Sequence, residues 1–180
     1  SIIHLETGKH LWETKLEVSA MISKIDISIS AFNDRCPNKS ITINTTKRLS
    51  LTHQPHGVLL VLGAFNFPGH LPNGHIVPAL LAGNSIIFKP SPYTPLTGEY
   101  ITKLWISAGL LPGVLTLLQG GTHLSQLLTN HPLIDGVLFT GSQKTGHRIA
   151  RSLLKTPEKI LALEMGGNNP MIVYNPGSIK

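Results

Sequence analysis

A carboxylate stands directly before a pair of glycines in the stretch LEMGGNNP at 163–170. Glu164 closes a short apolar run, and Gly166 and Gly167 allow the backbone to bend tightly and leave space beside the carboxylate. Such a group could act as a general base toward a water or a thiol, if partial burial among its apolar neighbours supports that role. The alternative is a strand-end glutamate that faces solvent or forms an ion pair.

A second motif, FTGSQKTG at 139–146, joins the end of a strand to the start of a helix through Gly141. Free backbone N–H groups and the positive end of the helix dipole converge at such a turn. There the hydroxyl of Ser142 can donate and Gly146 allows close approach. The motif is therefore suited to bind a phosphate group. An ordinary strand-to-helix turn with a serine N-cap stays open as the alternative, because this is not the G-x-G-x-x-G fingerprint.

A third motif, AFNFPGHLPNGH at 64–75, places Asn66 just after an apolar run, between aromatic residues and a proline that fix the turn. An amide at this place can donate a hydrogen bond to an oxyanion, or it can simply satisfy the backbone of the turn. His70 and His75 are five residues apart and have no acidic or cysteine ligand nearby. The sequence therefore predicts no metal site.

From Gly57 onward, short continuous apolar runs alternate with helical stretches, as in a parallel sheet that helices cover on both faces. The runs predict strands at 58–63, 84–89, 114–119, 136–140 and 159–163. Helices are predicted between them, at about 72–82, 95–108, 122–130 and 142–155. We therefore expect an α/β fold with a Rossmann-like parallel sheet, which binds ligands at the carboxyl ends of its strands. Lys89, Gly141 and Glu164 all fall at such ends.

The residues before Gly57 follow other patterns. Apolar residues at three- and four-residue steps over 11–33 predict a long amphipathic helix with a wide apolar face, suited to docking. Polar and apolar residues then alternate over 41–52, which predicts an exposed strand that projects from or links the main body. We divide the chain into a docking helix region (1–40), a polar strand or bridging segment (41–56), a Rossmann-like domain (57–175) and a tail (176–180).

The composition is that of a globular chain: 180 residues, of which 41% are hydrophobic and 13% charged. The formal net charge of +6 includes a stripe of four cations at helical spacing, Lys144, Arg148, Arg151 and Lys155. The stripe lacks interleaved aromatic residues, so we interpret it as a solvated helix face and expect no nucleic-acid partner. A nucleic-acid surface is the weaker alternative.

The sequence also bears on compartment. No apolar run is long enough to cross a bilayer, so we expect no membrane partner. One cysteine, Cys36, cannot form an internal disulfide, and the chain opens at Ser1 inside a helical pattern without signal-peptide features. These features indicate a reducing compartment, by default the cytoplasm, and a truncated N-terminus.

The order of these motifs, together with ETGKHLWE at 6–13, FKPSPYTP at 88–95 and AGLLPGVL at 108–115, resembles the NAD(P)-dependent aldehyde dehydrogenase superfamily. FNFPGHLPNGHIVPALLAGN and ALEMGGNNP resemble the branch that oxidises a semialdehyde in arginine breakdown. The resemblance implies an incomplete dinucleotide-binding domain that takes NAD or NADP and a small aldehyde. It also implies roles for six residues: oxyanion donor for Asn66, general base for Glu164, ribose contact for Lys89 and cofactor turn for Gly141, Ser142 and Gly146.

The chain departs from the family in two places. In the family mechanism a cysteine thiolate attacks the aldehyde and a base-activated water hydrolyses the resulting thioester. That cysteine lies downstream of the glutamate, in a separate catalytic domain, and the environment of Cys36 offers no base or helix N-terminus to replace it. The acidic residue that commonly follows the FKP lysine by three positions is here Pro92.

We therefore expect a fragment that lacks the catalytic domain and is inactive alone. Two alternatives stay open: a dinucleotide-binding remnant without chemistry, and a part that completes an enzyme in trans with a separate catalytic half. The family's mode of association implies a homo-oligomer interface at 41–52.

Overall fold

The structure, a computed structural model, describes residues 1–174 and 177. Its helices are α1 (Ile2–Thr7), α2 (Leu11–Arg35), α3 (His70–Leu81), α4 (Pro95–Ser107), α5 (Thr122–Thr129) and α6 (Gln143–Ser152). Its strands are β1 (Lys39–Thr42), β2 (Arg48–Leu51), β3 (Val58–Leu62), β4 (Ser85–Lys89), β5 (Leu115–Leu117), β6 (Gly136–Gly141) and β7 (Ile160–Met165). The predicted tail and the end of the predicted Rossmann-like domain lie outside the described residues, apart from Gly177.

A five-stranded sheet of order β5-β4-β3-β6-β7 forms the centre of the fold, and every neighbouring pair in it is parallel. From β3 the chain builds outward to β4 and β5, then returns to add β6 and β7 on the other side of β3. The strand order therefore reverses between β3 and β6, which is where ligands bind in open α/β sheets. The prediction of an α/β fold with a Rossmann-like parallel sheet is confirmed.

Alternation along the strands divides the core into two layers. On one face Leu59 and Val61 of β3 pack with Ile76 of α3 and with Phe88 of β4. On the other face the core contains Leu60, Leu62, Ile134, Val137, Phe139, Ile149 and Leu153, which bring in α6. Because the side-chain period of a strand is two, each residue near a strand end is committed to one of these faces.

The predicted exposed strand at 41–52 is two strands, β1 and β2, paired antiparallel with Ile41 opposite Leu49. Asn44 makes the turn between them, since its Oδ1 accepts from the backbone N of Thr46 at 3.0 Å and of Lys47 at 2.9 Å. An asparagine that closes a turn in this way ends one strand and starts the next. Every residue of both strands is exposed, as the polar pattern predicted.

The long helix is confirmed as α2, but its packing differs from what an apolar docking face suggests. The residues of α2 that are buried are Thr14, Glu17 and Ser28, whereas Val18, Ile22 and Ile25 are exposed and line an open groove of about 740 Å³ between α1, α2 and α4. The apolar periodicity therefore predicted the position of the helix correctly, but it did not predict which side of the helix is buried. Among the described helices, none combines the length and apolar character that a membrane crossing requires.

Two carboxylates from this N-terminal segment cap helices of the main body. Glu6 accepts from the backbone N of Leu96 and Thr97, both at 2.8 Å, at the start of α4. Glu17 accepts from the backbone N of Gly69 at 2.8 Å and of His70 at 3.1 Å, at the start of α3. The first N–H groups of a helix have no partner within the helix and carry partial positive charge, so carboxylates stabilise both starts.

Candidate functional site

A cleft of about 490 Å³ opens at the carboxyl ends of the strands, on the face of the sheet that α5 and α6 cover. The ends of β3, β4 and β6 form its floor, with Leu62, Lys89 and Phe139, and Thr129 and Arg148 line its helical walls. The lining includes two cations and several hydroxyl and amide groups but no carboxylate. Its size lies in the usual range of about 300–1,000 Å³ for small-molecule sites.

Lys89 is buried at the end of β4, with 4% of its surface exposed. Its Nζ donates to the backbone O of Pro90 at 2.8 Å and of Gly120 at 3.0 Å. An ammonium has three donors, so one of them is left for a ligand in the cleft. Burial lowers the pKa of Lys89 from its ordinary value, because the charged form loses solvation.

The turn after β6 has the geometry given above as the alternative, a strand-to-helix turn with a serine N-cap, and the Ser142 hydroxyl donates to Thr145 Oγ1 at 3.0 Å. Ser142 is the N-cap of α6, and its Oγ accepts from the backbone N of Thr145 at 3.3 Å. A Cβ at Gly141 would lie 2.5 Å from Cζ of Phe139, and a Cβ at Gly146 would collide with the side chain of Met165. The two glycines therefore let the Phe139 ring and α6 pack closely on the strands.

Glu164 lies on β7, the last strand of the sheet, directly opposite Thr140 of β6. Its side chain is exposed, as in the alternative of a strand-end glutamate that faces solvent, and the partial burial that would support a general base is not found. The reason is its position on an edge strand: residues 166–174, which follow it, form no regular element and are themselves exposed. No hydrogen bond joins the Glu164 side chain to another described residue.

Asn66 is exposed in the bend that connects β3 to α3, and its side chain has no hydrogen-bond partner among the described residues. Two residues of the N-terminal segment, Lys9 and Glu17, stabilise the bend. Glu17 caps the next turn, Lys9 forms a 3.1 Å ion pair with Glu17, and the Lys9 ammonium lies 3.3 Å from the ring centroid of Phe67. This partly buried network fixes the backbone on which Asn66 is presented.

His75 of α3 is a polar residue of the site that the sequence analysis considered only as a possible metal ligand and rejected. Its Nε2 lies 3.0 Å from Oγ1 of Thr140. Burial lowers the pKa of His75 below its ordinary value of 6.5; the charge of Glu164 acts in the opposite direction, and Lys24 lowers the pKa further. No group of three or more potential metal ligands occurs among the described residues.

The structure thus distributes the predicted residues over two sides of one sheet edge. Lys89 lies in the cleft on the α5/α6 face, whereas the alternation of β6 and β7 puts Thr140 and Glu164 on the α3 face. The turn at 141–142 lies between the two. A ligand that touches Lys89 and also approaches Glu164 has to cross the carboxyl edge of the sheet.

This fold and site define a class of protein. A parallel sheet with a cation-lined cleft at its switch point is typical of dinucleotide-binding domains. Residues 1–179 match the aldehyde dehydrogenase family, and the chain belongs to that family.

Its relatives narrow the likeness to one branch. The chain is 56% identical to N-succinylglutamate 5-semialdehyde dehydrogenase of Erwinia tasmaniensis over 174 aligned residues. The aligned stretch covers 97% of this chain and 35% of the relative. It is 58% identical to the enzyme of the same name from Escherichia coli over 179 aligned residues, and that alignment covers 99% of this chain and 36% of the relative. The chain therefore spans about 36% of the length of the curated relatives it matches.

Solved structures show the same fold. An NAD-dependent aldehyde dehydrogenase from Sinorhizobium meliloti superimposes with a TM-score of 0.86 at 25% identity, over 94% of this chain and 34% of that one. An NADP-dependent enzyme of E. coli gives 0.84 at 32% identity, over 93% and 35%. A Bradyrhizobium japonicum proline utilization A variant gives 0.87 at 29% identity, over 92% and 17%. The catalytic domain of the family is not among the elements of residues 1–174.

Proposed function

We propose that this chain supplies the dinucleotide-binding part of an NAD(P)-dependent aldehyde dehydrogenase that oxidises N-succinylglutamate 5-semialdehyde to its carboxylate. The observation that carries the proposal is the cleft at the sheet edge, with the buried Lys89 ammonium at its floor. The names of the relatives, at 56–58% identity, support the choice of aldehyde.

The cleft suits a dinucleotide. Lys89 has one free donor for a ribose hydroxyl, and the start of α6 at Gly141 and Ser142 offers backbone N–H groups to the phosphates, with Gly146 keeping α6 close to the sheet. A bound nicotinamide would supply the acceptor for hydride. On the α3 side of the edge, Glu164 would take a proton from water and the Asn66 amide would donate to the oxyanion of the substrate.

A calorimetric titration of the chain with NAD and with NADP tests this proposal. Pro92 stands where the family commonly has an acid, and no carboxylate lines the cleft to repel a 2′-phosphate. We expect weak binding of both dinucleotides, with Kd values within about tenfold of each other, a difference below about 1.4 kcal/mol. Absence of binding, or tight binding with a clear preference for NAD, would contradict it.

Two arginine variants sharpen the measurement. Arg148 lines the cleft, whereas Arg151, three residues further along α6, does not. Arg148→Gln is expected to weaken NADP binding more than NAD binding, because only NADP carries the extra phosphate. Arg151→Gln is the matched control and should leave both affinities unchanged.

The chain alone is expected to form no reduced cofactor from any semialdehyde. Its one cysteine, Cys36, is the C-cap residue of α2, where its backbone N donates to Phe32 O at 2.8 Å, and no helix N-terminus is there to activate the thiol. The absorbance of reduced cofactor should stay at baseline, and Glu164→Gln should change nothing. Turnover that Cys36→Ser abolishes would overturn this account.

The same measurements distinguish two alternative functions, a dinucleotide-binding remnant without chemistry and a part that completes an enzyme in trans. A remnant that only binds dinucleotide would give binding without turnover, and a part that works in trans would gain turnover when a catalytic half is added. The exposed β1 and β2 hairpin, with Ile41 and Leu49 side by side, is the surface proposed for association with a second copy. We also retain as proposals the domain limits given above and a cytoplasmic location.

A further inference from the structure

Three elements converge beside Glu164 on the α3 face of the sheet. His75 comes from α3, Thr140 from β6 and Glu164 from β7, and Thr140 is the direct neighbour of Glu164 across the strand pair. The His75 ring is held at this place by its 3.0 Å contact from Nε2 to Thr140 Oγ1. Residues opposite each other in a parallel pair present their side chains to the same face. The imidazole therefore lies on the face that carries the carboxylate.

Charged groups reach His75 from two elements. Glu164 faces it from β7, and Lys24 faces it from α2, where the Lys24 side chain runs over Gly74, its Cε 3.7 Å from the position of a Cβ there. Burial is the largest influence on the ring and lowers the pKa of His75, so the ring is neutral at neutral pH. Because Nε2 is engaged by Thr140 and an ionised carboxylate only accepts, a neutral ring could donate to Glu164 only through Nδ1–H.

We propose that His75 is a positioning residue for Glu164, anchored by Thr140 on the face of the sheet that carries the carboxylate. The inference rests on the proposed function, in which Glu164 is the general base. A functional side chain is held in place by neighbours whose own orientation is fixed by hydrogen bonds. The contact with Thr140 fixes the ring in this way, and the ring would in turn limit the orientations of the Glu164 side chain on the same face. The charge of Glu164 acts on the ring across this face, and that action is the coupling that can be measured.

An NMR titration of the histidine rings in the full chain tests the coupling. The chain has 9 histidines, so the His75 signal is assigned by its loss in His75→Gln. Glu164→Gln is expected to lower the titration midpoint of His75, because the influence that raises its pKa is removed. Glu158→Gln removes the same charge six positions earlier in the chain, before β7 begins, and should leave the midpoint where it was. Equal midpoints in all three proteins would overturn the coupling.

The opposite charge and the anchor are tested separately. Lys24→Met should raise the midpoint of His75, because Lys24 lowers its pKa. Thr140→Val removes the hydroxyl at Nε2 and should change the ring 15N shifts, whereas unchanged shifts would show that Thr140 does not anchor the ring.

The outcome is independent of the dinucleotide titration. The coupling concerns the α3 face, whereas the cleft with Lys89 lies on the α5/α6 face. A chain that binds no dinucleotide but shows the coupling would contradict the proposed function alone. A chain that binds dinucleotide without the coupling would contradict only the role of His75.

Discussion

Glu17→Ala is expected to lower the free energy of unfolding by about 3–5 kcal/mol, because it breaks a buried ion pair from one side. The Glu17 side chain is 0% exposed and the Lys9 side chain 16%. Alanine would leave the Lys9 ammonium without its carboxylate and the N–H groups of Gly69 and His70 without an acceptor. Since small domains have only about 5–15 kcal/mol of stability, urea denaturation followed by circular dichroism should show a large shift.

A second ion pair provides the control. Glu99 and Lys103 lie closer together, 2.6 Å against 3.1 Å for Glu17 and Lys9, but their side chains are 41% and 68% exposed. Glu99→Ala should cost only about 0.3–0.5 kcal/mol, since water screens the pair. Glu17→Gln, which keeps an acceptor for α3, should fall between the two. Equal losses for both alanine variants would show that burial does not decide the strength of these pairs.

Phe88→Ala is expected to cost about 3–5 kcal/mol, as is usual when a buried phenylalanine is truncated. Phe88 is 0% exposed and heads the fully buried side chains by volume. Its ring also reaches the end of β3, since a Cβ at Gly63 would lie 3.2 Å from Phe88 Cε2. The same denaturation experiment measures the loss. Because Lys89 follows Phe88 in β4, we also expect the truncation to displace the Lys89 ammonium and so to weaken dinucleotide binding.

The matched change is Phe65→Ala. Phe65 is 43% exposed and meets Tyr93 edge to face with 5.8 Å between ring centroids. Its removal should cost about 1 kcal/mol, the order expected for an exposed aromatic pair. A loss as large as that of Phe88→Ala would mean that Phe65 is buried by a contact that the described residues do not include.

The elements of the sheet could be predicted because buried parallel strands are continuous apolar runs. Their ends were less certain: the strand expected at 114–119 is reduced to Leu115–Leu117, because β5 is an edge strand with partners only at Ile86–Phe88. The faces of α2 could not be predicted from periodicity. The side of α2 that is buried packs on α3, and Glu17 on that side caps the start of α3. Because this start is 52 residues away in the chain, it does not affect the local apolar pattern of α2.

The same distinction holds for the site. Ser142 and the glycines beside it carry a local signal, because a strand end, a turn and a helix start follow one another in the chain, and the N-cap is confirmed. His75 meets Thr140 across 65 residues, and Lys9 reaches Phe67 only through the fold. Residues that act by meeting a distant partner are visible in the structure alone. The exposure of Glu164 likewise depends on what covers an edge strand.

The two carboxylate caps have a consequence for the order in which the chain folds. Glu6 and Glu17 are synthesised early, but the N–H groups that they cap at Leu96 and Gly69 follow 90 and 52 residues later. During synthesis α1 and α2 are therefore made before the helix starts that their carboxylates cap. Contacts between residues so far apart in the chain form slowly. Docking of the N-terminal segment should be a late event in folding, and any shortened form that begins after Glu17 should leave the starts of α3 and α4 uncapped.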